Sequence, residues 1–250
     1  MNISKYSLSN GTRHVCPQVY NSTYVSDTHY QHTIDTVPCS YVPPLKDVIT
    51  VLISSNNHDD ININFIINQI SALYDINFEV LTNLTVNTSS SVRVNIYDSK
   101  LKEGVQLNGI IKDIKTPYIF LVKNLVDFNN QSSIERMIRV IDDLKYLGVA
   151  VSSGSIRNAT GHWIHGCLQS KASNYILSYR MGYYFSRHEC FYCDDILSPF
   201  VVSKNTFDKV KFSDYLSGQV MIRDWFLKLK DNGTLSMICP DVMFYVKDFM

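Results

Sequence analysis

The residues with the clearest chemical potential are a cysteine pair and a histidine pair in the second half of the chain. Cys190 and Cys193 have the spacing of a redox couple or of half a zinc site. The two histidines of the stretch HWIHG fit either a metal pair or an aromatic cluster in a loop. Six cysteines, an even number, also permit disulfides. Further zinc ligands would have to come from Cys167, Cys239, His162 or His165.

Composition favours an ordinary folded domain and excludes several partners. A chain of 250 residues with 45% hydrophobic and 18% charged side chains can bury one large core. Its 23 basic and 23 acidic side chains cancel, so no positive field attracts nucleic acid or an anionic membrane. No apolar run reaches the roughly 18–20 residues needed to span a bilayer, and the first residues lack a signal-peptide core.

The sequon Asn-x-Ser/Thr is more frequent than the Asn, Ser and Thr content would give by chance. This excess favours the glycosylating lumen of the endoplasmic reticulum or Golgi, with an anchor or signal that is absent from this chain. The alternative is an Asn- and Ser-rich composition without glycosylation. The sequons begin at Asn2, Asn10, Asn21, Asn83, Asn87, Asn130, Asn158 and Asn232.

The chain divides into a stem and a folded domain. Residues 1–46 lack sustained periodicity, are rich in polar residues and close with two prolines, which favours an extended linker. A Cys16–Cys39 loop is a candidate clip within this stem. Residues 47–250 form the predicted domain.

Strands and helices alternate through the first half of this domain. Helical spacing predicts helices within 58–75, 104–115 and 132–148, and a later helix within 214–233. Asp59 or Asp60 is the expected cap of the first helix, and Ser132 or Ser133 that of the third. Apolar and β-branched runs predict strands at 48–54, 76–83, 91–98, 117–122, 149–156 and 235–246.

This alternation predicts an α/β fold with a mostly parallel sheet and helices on both faces. Ligands of such sheets bind beyond the carboxyl ends of the strands. The end of the run YIFLV, followed by Lys123-Asn124-Leu125, is therefore the expected place for chemistry.

The order of these segments resembles the GT-A glycosyltransferase fold over roughly 48–246. The resemblance is carried by TPYIFLVKNLVDF, the helix containing ERM, and the stretch from CDDILSPF to DNGTLSMICPDV. More narrowly, these segments resemble the β-1,4-N-acetylgalactosaminyltransferase group and the N-terminal, transferase-like domain of fukutin-related protein. The resemblance implies a GT-A-like nucleotide-diphospho-sugar transferase fold.

The resemblance also locates the family's metal site, which this sequence does not preserve. The acidic metal motif falls on Lys123, Asn124 and Leu125, and the metal-binding histidine falls near Val246. Mg²⁺ and Mn²⁺ need anionic oxygen ligands, which these residues lack. We therefore expect no divalent metal, and a nucleotide sugar as ligand only if the protein is active.

Other roles follow residue by residue from the same resemblance. Asp224 matches the general base, or else is a surface helix residue in a charged segment. Lys123 is a candidate partner of a diphosphate, or else a solvated strand-end lysine. Asp98, Asn124 and Asp127 are candidates for the donor pocket. Asp194 and Asp195 are candidates for acceptor binding, or for a cap or turn.

Matched cysteine positions imply a disulfide between Cys193 and Cys239, which would tie the helix carrying Asp224 to the sheet. Cys167 with Cys190 is the companion pairing. Both pairings are expectations from the resemblance.

Three functions remain open at this level. One is a non-catalytic, accessory glycosyltransferase-like module that positions a glycoprotein or glycan acceptor and can form a homo-oligomer. In fukutin-related protein, ribitol-phosphate transfer to O-mannosyl glycans belongs to a separate C-terminal domain, and we expect this chain to correspond to the accessory half alone. The others are an active, metal-independent glycosyltransferase and an unrelated secreted module that binds carbohydrate or protein.

Overall fold

The computed structural model describes residues 20–24, 30–34, 45–55, 62–87, 89–158, 160–197 and 199–247. The predicted stem falls mostly outside these ranges, as do Cys16 and Cys39. Within it, two short strands, β1 (Tyr20–Tyr24) and β2 (Tyr30–Ile34), pair antiparallel. No helix of the described residues has the length and apolar character needed to cross a membrane.

The remaining elements follow the predicted alternation and then a series of short strands. The helices are α1 (Leu45–Val48), α2 (Ile63–Leu73), α3 (Glu103–Asp113), α4 (Ile134–Leu144), α5 (Lys204–Lys209) and α6 (Gly218–Asp231). The strands of the first half are β3 (Ile49–Ser54), β4 (Asn77–Thr82), β5 (Val92–Ile96), β6 (Tyr118–Val122), β7 (Leu125–Asp127) and β8 (Val149–Asn158). Those of the second half are β9 (Trp163–Ile164), β10 (Cys167–Ser173), β11 (Ile176–Met181), β12 (Ser186–Arg187), β13 (Cys190–Cys193), β14 (Asp195–Ile196), β15 (Phe200–Ser203) and β16 (Leu235–Val246).

The cap of α4 was predicted correctly and that of α2 was not. Ser133 Oγ accepts a hydrogen bond from Arg136 N, and Gly148, with φ 91°, ends the short turn after α4. Helix α2 begins later than expected: Asn62, not Asp59 or Asp60, accepts from Phe65 N. An Asn side chain caps as well as an Asp, so the sequence offered three equivalent candidates.

One mixed sheet organises the domain, in the order β12-β13-β16-β8-β15-β6-β3-β4-β5. Strands β5, β4, β3 and β6 are parallel, as are β8 and β16. Strand β15 is antiparallel to both of its neighbours, β6 and β8. The predicted α/β fold with a mostly parallel central sheet is confirmed.

Helices cover both faces of this sheet. Successive side chains of a central strand therefore pack against different helices. Val51 and Ile53 of β3 pack in the core that contains α2 and α4, whereas Leu52 packs in the core that contains α3 and α6. A strand buried on both sides needs apolar residues at every position, which explains the unbroken apolar run of β3.

The disulfide pairing predicted from the resemblance is wrong, although all four cysteines are bonded. The structure pairs Cys167 with Cys193 and Cys190 with Cys239. Residues three apart on a strand point to opposite faces, so Cys190 and Cys193 belong to different cores. Each sulfur therefore bonds the cysteine on its own face. No thiol among the described residues remains free for zinc.

Candidate functional site

The carboxyl ends of β3 and β6 meet beside the start of α3, where parallel sheets bind their ligands. Glu103, the first residue of α3, lies at this junction with its side chain only 4% exposed. Its Oε1 accepts hydrogen bonds from Ser54 Oγ and from Lys123 Nζ, each at 2.6 Å. Its Oε2 accepts from Gly218 N, at the start of α6, at 2.7 Å. One carboxylate thus joins two strands and two helices.

This network fixes the charge state of the junction. Burial alone would raise the pKa of Glu103, but the Lys123 ammonium and the hydrogen bonds from Lys123, Ser54 and Gly218 bring it below its usual value. Burial, and then the negative charge of Glu103, raises the pKa of the nearby Tyr97 hydroxyl. Glu103 is therefore a stable anion whose charge is balanced by Lys123.

The loop before α6 closes tightly over the start of α3. Gly104 N donates to Leu216 O at 3.2 Å, and Glu103 N donates to Ser217 Oγ at 3.0 Å. A Cβ on Gly104 would lie 2.2 Å from Ser213 O. Only glycine permits this approach, so residue 104 allows the loop to bring Gly218 to Glu103.

The break after β6 is a tight turn in the backbone. Asn124 has a φ of 59°, a conformation that asparagine tolerates better than most residues. Its carbonyl accepts from Lys247 N at 3.1 Å. The chain then enters β7, where Leu125 pairs with Val246 of β16. Both side chains are buried.

A divalent metal does not fit these residues. The resemblance places metal ligands near Leu125 and Val246, and the structure brings these two positions together. Their hydrocarbon side chains offer no ligand atom, and the Lys123 ammonium is committed to Glu103. These side chains therefore support no metal-dependent step.

The remaining donor-pocket candidates have local partners. Asp98 is exposed, and its Oδ1 accepts from Lys100 N at 2.8 Å within a turn. Asp127 accepts from Gln69 of α2 and from Asn129 Nδ2. These bonds show what each carboxylate does in the fold, and their part in ligand binding stays a prediction.

The carboxylate of the candidate base, Asp224, already has two partners nearby. Its Oδ2 accepts from Ser213 Oγ and lies 2.8 Å from Lys228 Nζ, one helical turn away. Gly218, at the start of α6, precedes it by six residues, on the order of 9 Å along the axis. Asp224 therefore lies beside, and not within, the Glu103 network.

The two acidic residues after Cys193 lie in different surroundings. Asp194 Oδ2 accepts from Ser170 N at 2.8 Å and from Lys230 Nζ at 2.7 Å. Asp195 is 1% exposed, and no side chain of a described residue donates a hydrogen bond to either of its oxygens. Burial raises the pKa of Asp195 to about 6, although Arg223, 3.8 Å from Oδ2, and the Ile196 N–H pull it down.

The two histidines do not share one environment. His162 is exposed, whereas His165 packs edge-on against Tyr183 and Phe191, with ring centroids 6.1 Å away in each case. His165 Nδ1 accepts from Cys167 N, and burial lowers the pKa of this imidazole. These contacts favour the aromatic-cluster interpretation.

Sequence reasoning missed Glu103, Ser54 and Gly218. Glu103 looks like an ordinary first-turn acid, and its partner Gly218 is 115 positions away. The signal that could have found it is chemical: a lysine at the end of a buried strand needs a nearby anion.

Comparisons with known proteins identify the fold. No protein-family model and no curated protein matches this sequence. A crystal structure of GalNAc-T7 with UDP, GalNAc and Mn²⁺ matches with a TM-score of 0.59 and 7% identity, over 83% of this chain and 45% of that one. The S. aureus TarS 1–349 structure matches with a TM-score of 0.49 and 10% identity, over 80% and 60%. GalNAc-T7 is a GT-A glycosyltransferase, and the chain has a GT-A-like fold.

Proposed function

We propose that this chain is a glycosyltransferase-like module of the secretory pathway that serves protein glycosylation without metal-dependent catalysis. The observation that carries the proposal is the pairing of buried Leu125 with buried Val246 beside a Lys123 neutralised by Glu103. At the edge where parallel sheets bind ligands, this chain has hydrocarbon and an internal ion pair.

The proposed role is accessory, as in the N-terminal domain of fukutin-related protein. Such a module would hold a glycoprotein or its glycan for ribitol-phosphate transfer or a related step performed elsewhere, as a monomer or a homo-oligomer. Two disulfides support an oxidising, secretory-type environment. The sequon asparagines Asn83, Asn87, Asn130 and Asn232 are exposed, as glycosylation would require.

An active, metal-independent transferase is the second candidate, and one observation favours it. Lys123 places a cation at the carboxyl edge of the sheet, where it could approach a diphosphate if Glu103 released it. Asp224 would then be the candidate base. Against this candidate, both charged groups already have partners.

Calorimetry with UDP and with CDP, each with and without Mn²⁺, separates these functions. We expect no Mn²⁺-dependent nucleotide binding, and the same weak Mn²⁺ response from the Asn124→Ala variant, because one neutral amide cannot offset the dehydration of the ion. Micromolar, Mn²⁺-dependent binding by the unaltered chain would overturn the proposal. Binding that needs no metal would instead establish the second candidate.

Melting temperatures give an independent readout of the same titrations. A nucleotide that binds only the native state stabilises it, by about 2.7 kcal/mol at one hundred times its dissociation constant. A Lys123→Asp/Leu125→Asp variant tests whether the site can regain a metal. If it keeps its fold and its melting temperature rises with Mn²⁺ and nucleotide, the site lacks only metal-binding side chains.

A further inference from the structure

A groove of about 350 Å³ lies on the surface between β10, β13 and the start of β16. Tyr184, Phe185 and Tyr192 line it together with Gln169 and Asp194. Tyr184 and Phe185 are 71% and 73% exposed, and with Tyr192 they form one exposed aromatic patch. None of these aromatic residues takes part in the Glu103 network.

The groove is far from the carboxyl edge of the sheet. Leu235, which also lines it, pairs with Val149 at the first residue of β8, whereas Val246 pairs with Asn158 at the last. The two ends of this twelve-residue strand are on the order of 30 Å apart. A ligand in the groove would therefore be held away from any transfer site.

The polar side chains of the groove are held in place by other protein groups, and they keep oxygen atoms available for a ligand. Gln169 Nε2 donates to Tyr192 O at 2.9 Å, and the Cys167–Cys193 disulfide joins the two strands beneath. Asp194 is fixed through one oxygen by Ser170 and Lys230. Within the described part of the chain, Gln169 Oε1 and Asp194 Oδ1 accept no hydrogen bond, so both can receive one from a ligand.

The exposed aromatic rings and the two available oxygen acceptors favour one class of ligand over others. Lys230 already neutralises Asp194, so a cationic ligand gains little there. A ligand without hydrogen-bond donors, such as an acyl chain, would bury the two unused acceptors without partners, which costs free energy. A sugar ring has an apolar C–H face for the aromatic rings and hydroxyl donors for Gln169 and Asp194. The volume is near the lower limit for small-molecule sites.

We propose that the Tyr184/Phe185 groove binds a neutral saccharide ring and serves as a glycan-holding site separate from the carboxyl edge. This inference does not depend on whether the chain is catalytic. The saccharide has two possible sources: a glycan of another molecule, or a glycan on this chain's own Asn232. The sequon at Asn232 ends one residue before Leu235 in the groove wall.

Saturation-transfer NMR tests the site on the disulfide-bonded protein secreted from glycosylating cells. The probes are methyl glycosides of glucose, galactose, mannose and N-acetylglucosamine, at millimolar concentration. We expect at least one probe to receive saturation at its ring C–H protons. The Tyr184→Ala/Phe185→Ala variant should lose at least ten-fold of that signal, and Tyr215→Ala, which removes a ring 72% exposed outside the groove, should retain it.

A Thr234→Ala variant, which removes the Asn232 sequon, distinguishes the two sources. If only this variant binds the free probes, the chain's own glycan occupies the groove. If both proteins bind equally, the ligand comes from another molecule.

Absence of a signal with every probe in both proteins would overturn the proposal. An equal signal in the aromatic double variant would overturn it as well. Nucleotide calorimetry on the same variant should be unchanged, so failure here is distinct from failure of the proposed function.

Discussion

Two buried carboxylates show how differently this fold treats the same chemical group. Glu103 is enclosed by Ser54, Lys123 and Gly218, which hold its pKa below the usual value despite burial. Asp195 is as deeply buried, but its nearest opposite charge is Arg223 at 3.8 Å, and burial raises its pKa to about 6. The difference teaches that burial sets the cost of a charge, whereas its partners decide whether the charge persists.

The largest expected effect comes from breaking the Glu103 network. Lys123→Met leaves a buried carboxylate without its counterion and should lower the free energy of unfolding by about 3–5 kcal/mol. Urea denaturation measures this loss. Lys46→Met, in the exposed pair with Asp75, is the control and should cost less than about 1 kcal/mol.

The double variant Glu103→Gln/Lys123→Met sharpens that result. It removes both charges, so we expect it to be more stable than Lys123→Met alone. If the two variants were equally unstable, the loss would come from packing and not from the unpaired charge.

Asp195→Asn should stabilise the protein, in contrast to Lys123→Met, and the size of this effect should depend on pH. The folded pKa of Asp195 is raised, so its contribution to stability is present below pH 4 and is lost as pH rises through about 6. Removing the charge should therefore raise the free energy of unfolding at pH 7 by up to about 3 kcal/mol. The advantage of the variant should disappear near pH 4. A constant difference from pH 4 to pH 8 would contradict the raised pKa.

Replacing the glycines of α3 tests the close contact between this helix and the loop that brings Gly218 to Glu103. Gly104→Ala places a Cβ against the Ser213 carbonyl and should destabilise by about 1–3 kcal/mol. Gly109→Ala, in the same helix with open space around it, is the matched control. It should stabilise by about 0.5–1 kcal/mol, because alanine favours helix. Thermal unfolding of both variants would show whether the effect belongs to position 104.

The smallest effect concerns Arg223, which opposes the burial of Asp195. Its side chain is 38% exposed, so solvent screens its charge. Arg223→Met should raise the pKa of Asp195 further. Carbon-detected NMR titration of the Asp195 carboxyl group measures this change. An unchanged Asp195 titration would mean that Arg223 does not lower its pKa.

The elements of the fold were largely predictable because their signals are local. Unbroken apolar runs identified β3 and β6, and helical spacing with a Ser cap identified α4. The start of α2 was missed because Asp59, Asp60 and Asn62 are equally good caps by residue type, and the structure has Asn62 in that role. The disulfides were mispaired because pairing depends on which face each cysteine takes in its strand.

For the candidate site, the sequence predicted a location but none of the contacts. The sequence predicted that β6 ends at the place for chemistry, and it showed that Lys123-Asn124-Leu125 lacks metal ligands. It could not show that Glu103 neutralises Lys123 or that Leu125 meets Val246, since these partners are 20 and 121 positions apart.

What the sequence determined by itself is the set of strands and helices, because hydrophobic periodicity acts over neighbouring residues. Only the tertiary structure decided which charges are paired, which cysteines are joined and which aromatic side chains line one groove. Those outcomes depend on how β13, β16 and α6 cross elements that are distant in the chain. Side chains separated by a hundred residues respond to each other's charge only after the sheet has brought them within a few ångströms.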